Sequence, residues 1–580
     1  MIELKVPRTT ATYADVLVAL GLAELVKKEN VIATIRESPD AFTLELPQTP
    51  TFDTKRLPYR YIRTKDDSGK HPNEIDYLSL KSAWETHFEF LRQAKGDKEA
   101  LENHESPIEF DNRTLITSLV DLLKPIEGSA YDKTFELIAW LTDEQYKAFA
   151  SLLMTYFSTH NAAAFEKDWK ALAKKEGLKE KESSVQVFNP MMGKGMNAAK
   201  ANSISMSPVK EWLPIEALKF MGWWVGVIAS TPRKSKDRKV LCAVPADIAY
   251  DRFLDVMGEL RASFRGGGSI QIDVRAALNL ARILLKFHPQ RAGDFWSPKQ
   301  AVSGLYSVYF LNLGSAKGVS NLSLISLPSW VVLDLSNIDE EVQAWSEILF
   351  DHLIIVGRLD ESRTDQYNLL LDYRNFMSGG SLNALLEFLI AYGIFALAKT
   401  DREKTPRAAR WFSPVGLRKV MLNMDETLSD ILENQGFQNV AAAIRRATRG
   451  AVYAKLNGNK NYPVHYGLAQ ELKRKAFRKP DFVRALSDFV AEYNNENLRV
   501  AERFGRPYQK LTEVERKKLR TTISDEDFSN VVRLLDTFDS ETGAKTLIAY
   551  GYTKSASEPA NHPDSNDLEP TEELSEEVDE

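Results

Sequence analysis

Residues 211–246 read EWLPIEALKFMGWWVGVIASTPRKSKDRKVLCAVPA. The first half is typical of a short helix that runs into a strand, and VLCAVPA is a second apolar, β-type run. Two such runs around a polar tip predict a β-hairpin. The tip carries one acid, Asp237, and five cations, Arg233, Lys234, Lys236, Arg238 and Lys239. This stretch therefore predicts a mixed α/β body that presents a basic hairpin.

The sequence on either side changes character along the chain. The segments MIELKVP, VIATIRE and AFTLELP are strand-like, and TYADVLVALGLAELVKK is helix-like. From about Asp425 onward the long segments are all helix-patterned, with Gly, Asn or Pro at the joints. We predict an α+β fold: a mixed α/β N-terminal and central body with β-hairpins, an all-α C-terminal bundle of four or five helices, and a disordered acidic tail. The predicted regions are 1–180 (α+β), 181–424 (central α/β), 425–553 (helical bundle) and 554–580 (tail).

The bulk composition is that of a globular intracellular protein. A single cysteine, Cys242, excludes an internal disulfide and a cysteine-rich zinc site. The N-terminal segment MIELKVPRTT has no apolar signal core, so we expect a cytoplasmic protein rather than a secreted one. The most apolar run, SLNALLEFLIAYGIFALAK, is nearly long enough to span a bilayer, but Glu387 lies inside it. We interpret this run as a core helix and expect no membrane partner.

The net charge is unevenly distributed. The formal charge of the whole chain is −6, and the residues after Lys554 contain ten acids and no lysine or arginine. Without those ten acids the body carries +4. The tail is proline-bearing and almost free of large apolar residues, which predicts disorder. It is either a solubilising tail or a polyanion mimic that competes for a basic groove on the body.

Several catalytic patterns are absent from the sequence. A nucleotide-binding P-loop requires Ser or Thr after its Gly-Lys pair. Neither of the two Gly-Lys pairs here, at Gly69 and Gly193, is followed by Ser or Thr. None of the eight histidines is followed by aspartate, and no two form a His-x-x-x-His pair. His352 is interpreted as a packed residue rather than a ligand. The glycine-rich RGGGS at Arg265 follows a helix pattern and is interpreted as a turn. We predict no enzyme activity, no metal and no cofactor.

The helical region is strongly basic. Residues 441–520 contain nineteen lysines and arginines against eight acids, and Tyr453, Tyr462, Tyr466 and Phe477 lie among them. A phosphate backbone supplies the counter-charge that such a cluster needs, and aromatic rings stack on unpaired bases. The alternative to nucleic-acid binding is that these charges form an ordinary solvated face of the helices. The predicted strand-binding residues are Arg445, Arg446, Arg449, Lys473, Arg474, Lys475 and Arg478.

A second candidate is the loop NPMMGKGMNAAKANS, which begins at Asn189. Glycines at 193 and 195 let the backbone approach a ligand closely, and successive amides in such a loop form an anion-binding nest. Lysine and asparagine side chains contact phosphate or a base edge. The alternative is an ordinary polar connector. We predict a motif-proximal DNA contact made by Asn189, Lys194, Asn197 and Lys200 of this loop with Arg233, Lys234 and Lys236 of the hairpin tip.

These features together resemble a known family. The order of a mixed α/β body, a central NPMMGKGMN loop, a basic hairpin and a basic helical C-terminus is similar to the large subunit of type I CRISPR–Cas Cascade surveillance complexes. The resemblance is clearest between Asn439 and Tyr552, in the phrases NVAAAIRRATRGAVYAKL, HYGLAQELKRKA, FVRALSDFVAEYNNENLRV and LLDTFDSETGAKTLIAYGY.

The resemblance implies a non-catalytic role. The large subunit caps the crRNA-bearing backbone, recognises the protospacer-adjacent motif in target DNA and helps to open the duplex. Its C-terminal bundle, which is similar to the small subunits, holds the displaced strand, and the subunit helps to recruit the helicase–nuclease. Guide pairing reads the target sequence, whereas the protein reads the motif and the backbone. The implied partners are crRNA, target DNA, the Cascade backbone subunits, small subunits and the helicase–nuclease.

Two alternatives and one further hypothesis stay open. The chain could be a guide-independent DNA- or RNA-binding protein, since that class shares every electrostatic feature. It could also be a nuclease whose metal site assembles from scattered carboxylates. Finally, Met421 and Met424 precede the helical region, where an internal translation start would yield a separate small subunit; the alternative is two core methionines.

Overall fold

A computed structural model describes most of the chain. The described residues are 2–53, 60–62, 86, 89–90, 93, 114–116, 141–184, 186–192, 210–233, 235, 237–289, 295–313, 316–505, 510–516 and 519–554. The predicted acidic tail therefore lies outside the described residues, apart from Lys554. The chain forms two compact units: unit 1 comprises Met1–Gly266 and Ala301–Leu324, and unit 2 comprises Gly267–Gln300 and Ile325–Glu580.

Strands are concentrated in the first half of the chain. They are β1 (Ile2–Pro7), β2 (Thr34–Glu37), β3 (Ala41–Leu46), β4 (Arg60–Ile62), β5 (Thr114–Ile116), β6 (Lys181–Ser183), β7 (Lys210–Trp212), β8 (Val227–Ser230), β9 (Arg238–Pro245), β10 (Asp247–Ala249), β11 (Phe295–Trp296), β12 (Val302–Leu313), β13 (Ala316–Ser326) and β14 (Leu333–Asp334).

Helices occur throughout and make up nearly all of the C-terminal half. They are α1 (Tyr13–Lys27), α2 (Asp143–Thr159), α3 (Ala162–Glu176), α4 (Leu213–Gly226), α5 (Tyr250–Ser263), α6 (Ser269–Leu284), α7 (Pro298–Ala301), α8 (Ile338–Gly357), α9 (Thr364–Gly379), α10 (Leu382–Glu403), α11 (Pro414–Met424), α12 (Ser429–Glu433), α13 (Gln435–Arg445), α14 (Ala451–Leu456), α15 (Leu468–Lys475), α16 (Lys479–Glu502), α17 (Glu513–Arg516), α18 (Asp525–Thr537) and α19 (Ser540–Gly551). The predicted α+β class is confirmed.

Unit 1 contains two four-stranded sheets. Their strand orders are β1-β3-β2-β10 and β13-β12-β9-β8. In the second sheet β9 pairs antiparallel with β8 and with β12, so that Val240 lies opposite both Ala229 and Val308. The predicted hairpin is confirmed as β8 and β9, and the predicted helix before it is α4.

Two apolar helices, α1 and α4, cross at the centre of unit 1. A Cβ atom at Gly21 would lie 2.0 Å from the backbone oxygen of Leu218, and one at Gly222 would lie 1.9 Å from that of Leu17. Both positions therefore require glycine, because the two helix backbones are in direct contact. Every residue of α1 from Tyr13 to Val26 is buried, so this crossing forms the core of the unit.

Unit 2 is built around aromatic packing between its helices. The imidazole of His352 is fully buried, with its ring 5.3 Å from that of Trp330 and 4.8 Å from that of Phe412. Its Nδ1 forms a 2.7 Å hydrogen bond with the Tyr373 hydroxyl, and burial lowers the pKa of the imidazole to about 3. The prediction that His352 is a packed residue is confirmed.

The most apolar segment forms α10, which is the one helix of the described chain that is long and apolar enough to cross a membrane. Its contacts are those of a core helix. Gly393 packs against the ring of Tyr552, and Glu387 forms ion pairs with Lys473 and Lys545. Because α10 packs against α19 and α14, the helical region continues to residues before 425.

The helical region has more helices than predicted. The helix-patterned stretch 426–456 is divided at Asn434, whose side chain accepts a hydrogen bond from Phe437 N and caps α13. A second break separates α18 from α19 at Asp539, which caps α19 through Thr542 N. Asparagine and aspartate side chains favour such starts over helix interiors. The predicted boundaries at 180, 424 and 553 stay predictions.

Candidate nucleic-acid interface

The hairpin tip is only partly available to a ligand. Arg233 is exposed, but Lys239 is 2% exposed and Arg238 is half-buried. Asp237 fixes the turn, because its Oδ2 accepts hydrogen bonds from Ser235 Oγ (2.9 Å) and the Tyr309 hydroxyl (3.1 Å). The predicted residues Lys234 and Lys236 lie outside the described residues. Arg233 is thus the tip cation whose position supports a contact.

Asn189 belongs to a buried polar cluster on α4. Lys219 Nζ donates to Asn189 Oδ1 at 2.7 Å and to Glu216 Oε1 at 2.9 Å, and Asn189 Nδ2 donates to the same carboxylate oxygen at 3.1 Å. Glu216 and Lys219 are 1% and 4% exposed. Asn189 therefore holds the start of the loop inside unit 1, and its side chain is bonded to Glu216 and Lys219 rather than presented for the predicted DNA contact. Lys194, Asn197 and Lys200 lie outside the described residues.

The glycine-rich turn before α6 is occupied by a side chain of the protein. Glu361 Oε2 accepts hydrogen bonds from Ile270 N (2.9 Å) and Gln271 N (3.2 Å). A Cβ atom at Gly268 would lie 2.1 Å from the same carboxylate oxygen. The first amides of α6 are thus satisfied by a carboxylate from within unit 2, as expected at a helix N-terminus.

Arg445 points into unit 2. Its Nη2 donates to Tyr550 O at 2.9 Å and to Thr553 Oγ1 at 2.7 Å. These bonds tie the end of α13 to the end of α19. The predicted strand-binding role of Arg445 is therefore replaced by a structural one.

Arg449 is also internal. It is 4% exposed, and its guanidinium carbon lies 4.4 Å from the ring centroid of Tyr453 and 5.5 Å from that of Trp411. A π-helical turn, Arg446–Gly450, interrupts the α-helix here and shifts the residues around the axis. Arg449 is therefore directed into unit 2, in contrast to its predicted strand-binding role.

Arg446 is half-buried beside Tyr493. Burial raises the pKa of the Tyr493 phenol, and the hydrogen bond from Arg446 acts in the opposite direction. The backbone oxygen of Arg446 accepts a 3.0 Å hydrogen bond from Arg520. Arg446 is thus in contact with the interior, in contrast to its predicted role.

Cations at the turn between α15 and α16 have a different environment. Lys473 forms a 2.5 Å ion pair with Glu387, but Arg474 and Arg478 are exposed and Lys475 is half-exposed. In the part of the chain that the structure describes, none of these last three side chains forms an ion pair with a carboxylate. Phe477 lies between them and is 62% exposed. We call Arg474, Lys475, Phe477 and Arg478 the basic corner.

A polar network that sequence reasoning missed surrounds Glu496. His465 Nε2 lies 2.7 Å from Glu496 Oε1, and Arg520 Nη1 donates to Glu496 Oε2 at 3.2 Å. With Glu492, His465 and Glu496 form a group of potential metal ligands whose donor atoms all lie within 4.8 Å of one another. The Glu492–Glu496 spacing of four residues on α16 was the available signal, but His465 is distant in sequence.

The Arg520 guanidinium argues for a structural role of this network. It supplies the positive charge that the buried Glu496 requires, and it lies 3.8 Å from the ring centroid of Tyr462. Burial lowers the pKa of Arg520, and Glu496 acts in the opposite direction. The guanidinium of Arg520 therefore balances the negative charge of Glu496, and the network needs no added cation for that purpose.

No protein-family model matches this chain, and no curated protein matches it.

Proposed function

We propose that the chain is the non-catalytic large subunit of a crRNA-guided type I Cascade surveillance complex in a prokaryotic cytoplasm. In this role it recognises the protospacer-adjacent motif in target DNA, aids duplex opening, holds the displaced strand and recruits the helicase–nuclease. Its other partners are the backbone and small subunits. The resemblance of the helical region and the order of an α+β body before a helical region support the proposal.

The observation that carries the nucleic-acid part is the basic corner. Three cations within five positions stand at one turn, in a region where neighbouring cations have internal partners. Like charges this close repel one another, and a phosphate backbone relieves that repulsion and releases condensed counterions when it binds. The corner is therefore suited to phosphate contacts that are independent of sequence.

The proposed motif-proximal contact involves fewer residues than the sequence predicted. Arg233 is the exposed described cation of the hairpin tip, and Lys194, Asn197, Lys200, Lys234 and Lys236 keep their proposed role. Asn189 is bonded inside unit 1 and has no part in the proposed motif-proximal contact. Of the predicted strand-binding residues, Arg445, Arg446 and Arg449 contact the interior of unit 2 and have no part in the proposed strand contact. Asparagine contacts would select among motif sequences, whereas lysine contacts would strengthen binding to all of them.

The binding test compares the full chain with a variant that carries Arg474→Ala and Arg478→Ala. The slope of log Kd against log salt concentration for a single-stranded DNA should become shallower by about one for each phosphate that the variant no longer binds, equally for all sequences. Arg402→Ala is the matched control, because Arg402 is an exposed arginine on α10 far from the basic corner. Glu387, which pairs with Lys473 next to the corner, lies on the same helix fifteen residues before Arg402, a distance of about 22 Å along the helix axis. An unchanged slope in the double variant would contradict the proposal.

The Cascade assignment is tested by co-expression with crRNA and backbone subunits. We expect a stable complex that contains the chain and stoichiometric RNA, and DNA binding that requires a target matching the guide. Binding of equal affinity by the lone chain, without retained RNA, would instead identify a guide-independent nucleic-acid-binding protein.

A further inference from the structure

Phe477 differs in exposure from Tyr453, Tyr462 and Tyr466, the three tyrosines predicted to lie among the cations. All four rings contact a cation of the same unit; the pairs are Tyr453 with Arg449, Tyr462 with Arg520, Tyr466 with Lys455 and Phe477 with Arg478. Phe477 is 62% exposed and is the most exposed of the four aromatic residues. Covering such a ring removes apolar surface from water, so a ligand with a flat apolar face gains free energy by binding there.

The backbone holds Phe477 in a fixed turn. Ala476 N donates to Lys473 O at 3.2 Å, and Arg478 N donates to Lys475 O at 3.0 Å. The next helix begins at once, since Phe482 N donates to Arg478 O at 3.0 Å. On either side, Leu472 and Phe482 are almost fully buried. The ring is thus presented from an ordered backbone, so that binding need not order the chain that carries it.

The charges around the ring select the class of ligand. The guanidinium carbon of Arg478 lies 5.6 Å from the Phe477 ring centroid, and Arg474 and Lys475 precede it. A ligand that covers the ring must therefore tolerate three neighbouring cations. An apolar peptide does not supply negative charge, whereas a nucleotide supplies a planar base and a phosphate together.

We propose that Phe477 stacks on an unpaired base of the strand whose phosphates Arg474, Lys475 and Arg478 contact. This inference rests on the proposed function and adds a preference for single strands. The face of a base in a duplex is covered by its neighbours, so only an unpaired base offers a face to the ring. The corner would then retain an opened strand and release a closed duplex.

The experiment uses the full chain and three probes of equal length: a single-stranded DNA, the same strand with abasic sites, and a duplex. Phe477→Ala should weaken binding to the natural strand on the order of tenfold, as expected when one base is no longer stacked, and should leave the abasic strand and the duplex unchanged. Phe477→Trp should restore binding. The matched control is Phe295→Ala, because Phe295 is 71% exposed and lies opposite Asp334 where β11 pairs with β14.

The outcomes separate this inference from the proposed function. If Arg474→Ala with Arg478→Ala weakens binding and Phe477→Ala does not, the phosphate contacts stand and the stacking is overturned. An equal weakening on natural and abasic strands would also overturn it, since the ring would then act through packing alone. If Phe477→Ala impairs assembly with a protein subunit and leaves strand binding unchanged, the ring is a protein contact and the inference is wrong. If neither variant changes binding, both proposals fail.

Discussion

Two basic segments of the helical region, residues 445–449 and residues 474–478, have similar composition and opposite environments. Each places three lysines or arginines within five positions. In the first segment Arg445 donates to backbone and hydroxyl oxygens and Arg449 lies over aromatic rings, whereas in the second Arg474 and Arg478 face solvent. Charge density in a sequence therefore does not distinguish a cation that supports the fold from one that is available to a ligand.

The largest expected effect comes from a buried cation in unit 1. Lys219→Met removes the ammonium that faces the buried carboxylate of Glu216 and the amide oxygen of Asn189. Removing one member of a buried ion pair leaves an uncompensated charge, so the free energy of unfolding should fall by about 3–5 kcal/mol. Urea denaturation of the full chain, followed by tryptophan fluorescence, measures the decrease.

The control for this change is Lys170→Met on α3. The Lys170–Glu166 pair is 2.7 Å apart with both side chains about half-exposed. Water screens that pair, so its removal should leave the unfolding midpoint where it is. Equal effects of the two substitutions would show that Lys219 is not held as the structure describes, and would return Asn189 to the candidate contacts.

Arg445→Ala should have the next largest effect. It removes two charge-assisted hydrogen bonds that join the end of α13 to the end of α19. We expect a decrease of about 2–3 kcal/mol in the free energy of unfolding. The same variant should leave the salt dependence of DNA binding unchanged, at a temperature where it is folded. A shallower salt slope with unchanged stability would contradict the division between the two segments.

The pH dependence of the free energy of unfolding tests the burial of His352 in unit 2. Because the pKa of His352 is lowered to about 3 from an ordinary value near 6.5, the unfolded chain binds a proton that the folded chain excludes. The free energy of unfolding therefore has its full value, as far as His352 is concerned, above pH 6.5. It decreases as the pH falls, by about 1.4 kcal/mol for each pH unit between 6.5 and 3. Denaturation of the protein and of His352→Phe at pH 7.0 and 5.5 should show a steeper decrease in stability for the unsubstituted protein.

The hypothesis of an internal start at Met421 or Met424 meets a packing constraint. A product that began there would lack α10, which packs on α19 where Gly393 meets Tyr552. Met421 is itself fully buried, so its substitution would also disturb the core. Mass spectrometry of the intact products from the unsubstituted gene is therefore the cleaner measurement; absence of a short product would exclude the hypothesis.

The sequence predicted the local structure better than the contacts. Periodicity indicated α1, α4 and the β8–β9 hairpin, because those patterns follow from which face of an element is buried. It could not indicate that Arg449 turns inward, since one of its two ring partners, Trp411, lies 38 positions earlier and a π-helical turn shifts the helical face. Likewise Asn189 is held by Lys219, 30 positions away, which local composition does not reveal.

The smallest expected effect is the one that the comparison depends on most. Arg474→Ala and Arg478→Ala should each change the free energy of unfolding by no more than about 0.5 kcal/mol, because neither side chain forms an ion pair within the described chain and both are exposed. The same two variants should weaken strand binding, so the measurement is a pair of curves, one of denaturation and one of binding. Arg445→Ala should show the opposite pattern. If the corner variants instead destabilise the protein as much as Arg445→Ala does, their guanidinium groups belong to the fold, and the basic corner ceases to be a binding surface.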